Sequence, residues 1–212
     1  MRFEENIDGL EYGGKSMSAD RISKQINFIL RIDKEKQIER QTHLTDHGRR
    51  ENDAEHAWHM AVMAYLLREY SNDRIDIAKA MIMCLIHDIV EIEAGDTYAY
   101  DDDGKKDQHS REEAAADHIF GLLPDDQRDE FRALFEEFDS GNTPEANFAR
   151  AMDNFQPILL NNSNNGSDWR EHGVSRDMVE ARQKRTIPGS RVIYDIIETI
   201  LDKNVKKGSL KA

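Results

Sequence analysis

His87 and Asp88 stand side by side inside Ala80-Met81-Ile82-Met83-Cys84-Leu85-Ile86-His87-Asp88-Ile89-Val90-Glu91, an otherwise apolar run that reads as a buried helix. Burying an imidazole and a carboxylate without partners costs several kcal/mol, so the fold has to satisfy them. A core histidine hydrogen-bonded to its neighbouring aspartate is one solution. A metal ion is another, because it binds neutral imidazole and carboxylate together. The pair alone does not choose, and the rest of the chain has to.

The 212 residues suffice for one well-buried domain. No apolar run approaches the roughly 20 residues that cross a bilayer. The start, Met1-Arg2-Phe3-Glu4-Glu5-Asn6, is acidic and has no apolar signal region. The single Cys84 rules out an internal disulfide framework and a cysteine-based zinc knot, and its apolar setting suits a small buried hydrophobe. A reducing cytoplasm is the expected compartment. With 29 basic against 42 acidic residues the net charge is −13, which disfavours a nucleic-acid polymer as partner. A small anionic substrate stays open, since a metal ion and a few arginines reverse the sign inside a pocket.

The expected organisation is a loose arm over residues 1–17, a helical domain over 18–205 and a tail over 206–212. Ser18 is a candidate cap for a first helix with Ile22, Ile26, Ile29 and Leu30 on one face. The polar and basic stretch from Ile38 to Asn52 reads as loop or broken helix. A second helix, about Asp53 to Tyr70, buries Ala57, Met60, Ala61, Ala64 and Leu67, with His56 on the same side. A third, about Ile75 to Ile92, carries His87-Asp88 and stops at Gly95. Asp96 to Lys106 reads as a loop beside the site. Helices follow at about Asp107–Leu123, Asp125–Phe138 and, from the Thr143-Pro144-Glu145 start, to Leu160 with Asp153 inside it. Asn161 to Asp168 reads as a polar loop, and two further helices cover about Ser175–Arg185 and Gly189–Lys203. No segment keeps a strand period and no repeat appears. The fold class is all-α, a single bundle.

Three helices thus offer ligand-type residues on apolar faces: His56, the pair His87 and Asp88, and Asp153. Neighbours on a helix point about 100° apart, so His87 and Asp88 grip one ion only at a surface facing the bundle centre. Bundle-core metal sites are built in this way, from side chains on facing helices. Mixed nitrogen and oxygen ligation suits manganese, cobalt, iron, nickel, zinc or magnesium.

His56, His87-Asp88 and Asp153 resemble the H…HD…D signature of the HD-domain metal-dependent phosphohydrolases. Glu51-Asn52-Asp53-Ala54-Glu55-His56 and His87-Asp88-Ile89-Val90-Glu91-Ile92-Glu93-Ala94-Gly95-Asp96 resemble the branch that contains the 5′-deoxynucleotidases. Arg111-Glu112-Glu113-Ala114 and Leu122-Leu123-Pro124 extend the likeness, which spans about Ile38 to Leu160.

The resemblance implies that His56, His87, Asp88 and Asp153 hold one divalent ion, which binds substrate phosphate and a water nucleophile. It implies that Glu91 positions or deprotonates that water and that Asp96 lies near the sugar, with a possible second ion near Glu91 and Asp96. Helical spacing independently allows Asp88 and Glu91 to face one cavity. Arg40 matches a family arginine that clamps phosphate, although Gln41-Thr42-His43-Leu44 replaces the tryptophan that often follows it. Arg49 and Arg50 are alternatives. His59 is one turn past His56, while His109 and His118 fall where dinuclear members carry further ligands.

The implied activity is hydrolysis of the 5′-phosphate of a (deoxy)nucleoside monophosphate by a homodimeric enzyme. The alternatives are a phosphodiesterase, a hydrolase of another small phosphometabolite, and a catalytically silent nucleotide-binding regulatory module. Glu91 beside a complete ligand set argues against silence, because a pure binder has no use for a base.

Overall fold

The computed structural model describes residues 11–12, 15–16, 19–45, 47–100 and 106–212. Ser18 and most of the arm expected over residues 1–17 lie outside them. Within the arm, strands β1 (Glu11–Tyr12) and β2 (Lys15–Ser16) pair antiparallel.

The rest is a helical bundle. Helix α1 (Ala19–Ile32) leads through a short 3-10 turn to a hairpin of β3 (Glu39–His43) and β4 (Arg50–Asn52). Next come α2 (Asp53–Leu67), α3 (Ile77–Ile86) and the single turn α4 (Glu91–Ala94). Helices α5 (Gln108–Phe120), α6 (Asp125–Ser140) and α7 (Pro144–Ser163) follow. The chain closes with α8 (Ser167–Glu171), α9 (Arg176–Gln183) and α10 (Arg191–Lys207).

Local chemistry sets the helix starts. Asn52 caps α2 in a reciprocal box: its side chain accepts from the Glu55 amide at 2.9 Å, and the Glu55 carboxylate accepts from the Asn52 amide at 3.1 Å. Asp76 caps α3, Ser190 caps α10, and Thr143 caps α7 with Pro144 at its first turn. Gly95 ends α4 at a φ of 77°, a left-handed value that costs glycine little.

Two apolar clusters fill the interior. Met60, Met83, Phe148, Met152, Ile197 and Leu201 join α2, α3, α7 and α10. Phe28, Ile89, Ile119, Phe120, Leu123 and Phe135 join α1, the end of α3, α5 and α6.

Four expectations are corrected. The Ile38–Asn52 stretch forms the β3–β4 hairpin rather than loop or broken helix. Its residues are polar because their partners are buried charges on other elements, which erases any apolar alternation. On α1, Ile29 and Leu30 face solvent while Phe28 is buried, so the apolar stripe is rotated from the expected face. The third helix does not run through to Ile92. The i+4 bonds end with the His87 amide to the Met83 carbonyl at 3.1 Å. They give way to i+3 bonds, Ile89 to Ile86 at 3.3 Å and Glu91 to Asp88 at 2.9 Å. The HD pair therefore sits at this change of pitch. At the far end α10 runs on to Lys207, Leu210 is buried in the core and Lys211 bridges to Ser175, where a tail from 206 was expected.

Candidate active site

His56 projects from the first turn of α2, His87 and Asp88 from the end of α3, and Asp153 from the middle of α7. Pro157 lies four residues after Asp153, so the Asp153 carbonyl lacks the amide that would close its helical turn. The four side chains meet between the two apolar clusters. His56 Nε2 lies 3.3 Å from Asp153 Oδ1 and 4.0 Å from Asp88 Oδ2. His87 Nε2 lies 3.0 Å from Asp88 Oδ2 and 4.0 Å from Asp153 Oδ1.

The outer edges of both rings are engaged. His87 Nδ1 donates to the Cys84 carbonyl at 3.0 Å, and His56 Nδ1 donates to Gln156 Oε1 at 3.1 Å. Both Nε2 atoms thus face the carboxylates, and His87 Nε2, 3.0 Å from Asp88 Oδ2, has no well-aligned hydrogen bond there. Ligand atoms of His56, His87 and Asp153 lie within 4.8 Å of one another and Asp88 Oδ2 adjoins both imidazoles, a donor set that suits a divalent metal ion. The residues present fit such an ion.

Electrostatics treat the two rings differently. Burial, with help from the Arg40 charge, pushes His56 down to about 4 and keeps it neutral. Burial also opposes a charge on His87, but Asp88 and Asp153 outweigh it and push its pKa up to about 9, so the carboxylates attract a cation here and a metal ion would displace the His87 proton. Burial opposes the charge on Asp88 too, yet His87 and Arg40 hold its carboxyl well below the usual range. Burial opposes the charge on Asp153 as well, but the adjoining His56 imidazole and the Arg182 and His87 charges hold it low.

Glu91 begins α4 one turn after Asp88 and is 7% exposed, and its Oε2 has no donor. Burial, then Asp88 and Asp53, raise its pKa well above the ordinary value. Asp53, fully buried beneath it, is pushed up to about 7 by burial and by Asp88, and its Oδ2 also lacks a donor. Ligand atoms of Asp53, Asp88 and Glu91 lie within 4.8 Å of one another. Carboxylates so close and so dry do not all ionise, and a proton held by the Asp53–Glu91 pair relieves the repulsion.

Arg40, on β3, faces these carboxylates. Its Nη1 donates to Asp88 Oδ2 at 2.7 Å and Asp53 Oδ1 at 3.0 Å, and its Nε lies 3.7 Å from Glu51 Oε1. A guanidinium of the chain itself therefore bridges Asp88 and Asp53, two of the acidic trio. Asp96, where a second ion was expected with Glu91, stands outside that trio and lines the adjoining cavity. The cavity measures about 700 Å³, and Glu91, Tyr98, Tyr100, Trp169, Arg150 and Arg182 are among its walls.

The other expected candidates lie elsewhere. Arg49 pairs with Glu55, and Arg50 with Gln41 and Glu171. His118 meets Glu93 at 2.8 Å on the surface, and His109 lies 3.9 Å from Asp139 at the cavity rim. His59 Nδ1 sits 3.2 Å from Gln156 Nε2. A separate group, His43, His47 and Asp168, ties β3 and its turn to α8, with His43 Nδ1 2.8 Å from Asp168 Oδ1.

Sequence reasoning missed Asp53, Gln156 and Arg182. Asp53 reads as an ordinary helix start and Gln156 as one polar residue within a helix, but both are at least as buried as the core methionines. Gln156 carried one usable signal: it follows Asp153 by three residues and so shares its face.

Comparison with known proteins agrees with this architecture. The HD domain family model matches residues 32–193. A solved structure described as a predicted metal-dependent phosphohydrolase from Magnetospirillum magnetotacticum MS-1 superposes with a TM-score of 0.88 at 44% identity, over 92% of this chain and 97% of that one. Human 5′-deoxynucleotidase HDDC2 is 35% identical over 111 residues, 52% of this chain and 53% of that protein. The 5′-deoxynucleotidase hdd1 of Schizosaccharomyces pombe is 30% identical over 112 residues, 51% of this chain and 55% of that protein. The chain spans about half the length of the curated relatives it matches. With the histidine–aspartate centre at the junction of α2, α3 and α7 and a family match across most of its length, the chain belongs to the HD domain family.

Proposed function

We propose that the chain is a metal-dependent phosphohydrolase that releases the 5′-phosphate of (deoxy)nucleoside monophosphates, using His56, His87, Asp88 and Asp153 as metal ligands. One observation carries the reading: a dry, proton-avid carboxyl, Glu91, opens beside the ligand centre onto a cavity large enough for a nucleotide. The names of the relatives, 5′-deoxynucleotidase and metal-dependent phosphohydrolase, support it.

When bound, a divalent ion supplies Lewis acidity to the phosphoryl oxygens and to water beside them. The chain supplies the rest. With the pair's proton on Asp53, the Glu91 carboxylate takes a proton from water as the water oxygen attacks phosphorus, and the bond from phosphorus to the 5′-oxygen breaks. The Asp53–Glu91 pair then returns a proton to the departing 5′-oxygen, so the nucleoside leaves neutral. Asp96 lines the same cavity, and its carboxylate is read as the acceptor for a sugar hydroxyl. Tyr98 and Tyr100, in edge contact at 5.4 Å, offer an aromatic wall to the base. Among the described residues neither His109 nor His118 joins a ligand cluster, which weighs against them as ligands of a second ion.

Among the described residues no helix is long and apolar enough to cross a membrane. A net charge of −13 suits a small substrate rather than a polynucleotide. We read the chain as a cytoplasmic homodimer whose exposed Trp58, Val62, Tyr65 and Leu66 on α2 supply apolar surface for the second copy. The test is phosphate release from a panel of nucleoside monophosphates, on chelator-stripped protein resupplied with manganese, cobalt or magnesium. Metal-dependent release is expected. Silence with every ion, with nucleotide binding intact, would leave the regulatory module as the better reading.

A further inference from the structure

Three arginines line one wall of the cavity, and resemblance to the family points to none of them. Arg150 stands on α7 three residues before Asp153, Arg182 on α9, and Arg185 in the 3-10 turn that follows α9. Arg182 Nη2 lies 3.6 Å from Asp153 Oδ2, so it borders the ligand centre directly. Arg150 Nη1 donates to the backbone carbonyls of Phe138 and Asp139 at the end of α6, which fixes its position without neutralising it. Arg185 forms no ion pair among the described residues. Burial first, and then the Arg185 charge, make Arg150 a poorer cation than usual, so the cluster is under mutual repulsion. Partly buried like charges of this kind call for an anion.

Arg40 lines the same cavity, but its charge is already engaged. Asp88, Asp53 and Glu51 already surround it, and its whole side chain is 14% exposed. Asp96, Glu112, Asp139 and Asp168 also line the cavity, so the positive charge is local to the arginine wall beside Asp153, where a bidentate anion partner fits.

We propose that Arg182, backed by Arg185 and Arg150, clamps the phosphoryl group, in addition to Arg40, whose charge Asp88, Asp53 and Glu51 already engage. This rests on the phosphomonoester reading above. Arg182 is placed to hold a phosphoryl oxygen while touching Asp153, so it couples anion binding to the ligand centre.

The test compares Arg182→Ala, Arg182→Lys and Arg185→Ala with wild type, each checked for metal content and melting temperature. Binding of inorganic phosphate is measured by calorimetry on chelator-stripped and on manganese-loaded protein. Arg182→Ala should weaken phosphate binding roughly tenfold to a hundredfold, with Arg182→Lys between it and wild type. It should lower kcat/KM on the order of 10²–10³-fold, by the same factor for p-nitrophenyl phosphate as for a nucleotide, because the clamp holds the group both share. Arg185→Ala, further from Asp153, should show the same pattern at smaller size.

Unchanged phosphate binding in both alanine variants overturns the proposal, as does a wild-type protein that binds no phosphate in either form. A loss confined to nucleotides, with p-nitrophenyl phosphate turnover intact, also overturns it and moves the arginines to the base or sugar. If wild type cleaves no nucleotide yet phosphate binding still falls in Arg182→Ala, the clamp stands and the nucleotidase reading falls.

Discussion

Replacing Gln156 by leucine should weaken metal binding without touching a ligand. Gln156 is fully buried on α7 and works in two directions. Its Oε1 accepts from His56 Nδ1 at 3.1 Å, and its Nε2 donates to Glu51 Oε2 at 2.7 Å. His56 is neutral, with its pKa pressed to about 4, so it owns a single N–H. Placing that hydrogen on Nδ1 leaves the Nε2 lone pair facing Asp153 and Asp88. Leucine has nearly the same volume but no acceptor, so the tautomer and ring angle lose their anchor.

Losses of partners that orient a metal-bound histidine run at roughly 10- to 100-fold in affinity, about 1.4–2.7 kcal/mol. Stability should drop as well. Glu51 Oε1 already lacks a partner, and leucine strips Oε2 of its donor, a cost of about 1–3 kcal/mol for a buried acceptor. For a domain of this size each kcal/mol lowers the melting temperature by roughly 2–4 °C. Metal affinity is read by competition against a chelator of known strength, and the melting temperature by calorimetry of the stripped protein. Wild-type affinity in a folded Gln156→Leu protein refutes the argument, since His56 would then hold its orientation unaided.

Two further outcomes follow from the carboxyls. Glu91→Gln keeps the shape of the side chain and leaves all four ligands, so metal content should be unchanged while kcat falls by roughly 10²–10⁴-fold; loss of metal together with activity assigns Glu91 to the ligand set. Glu35 is buried, its Oε1 lacks a partner, and burial followed by the Asp88 charge pushes it up to about 7 from 4.5. A carboxyl whose folded pKa is raised stabilises the fold in its protonated form, fully at pH below about 4.5, and that contribution is lost as pH rises through about 7. Glu35→Gln mimics the protonated form, so the metal-free variant should gain stability over wild type at pH 8, by up to about 3 kcal/mol, and match it near pH 4.5. A stability difference independent of pH, measured by urea titration across that range, refutes it.

Much of the site is legible in the chain because helical period and burial are local properties. Ala57, Met60, Ala61 and Ala64 mark one face of α2, and His56 falls on it; the apolar run around His87-Asp88 declares burial before any fold is known. The caps at Thr143-Pro144 and the stop at Gly95 are local for the same reason, since a hydroxyl one turn from an amide or a residue free at positive φ acts within a few positions. The all-α bundle and the convergence of three helices on one centre follow from these.

What the tertiary structure alone decided concerns polar residues whose partners are remote. Ile38–Asn52 pairs as a hairpin because Arg40 meets Asp88, 48 positions on, and His43 meets Asp168, 125 positions on. No local period encodes such contacts. The same holds for Gln156, 105 positions from Glu51, and for Arg182, brought to Asp153 only when α9 folds onto α7. Apolar burial is written into each helix by its own spacing. Charge pairing is a relation between two distant segments, and it exists only once both have been packed together.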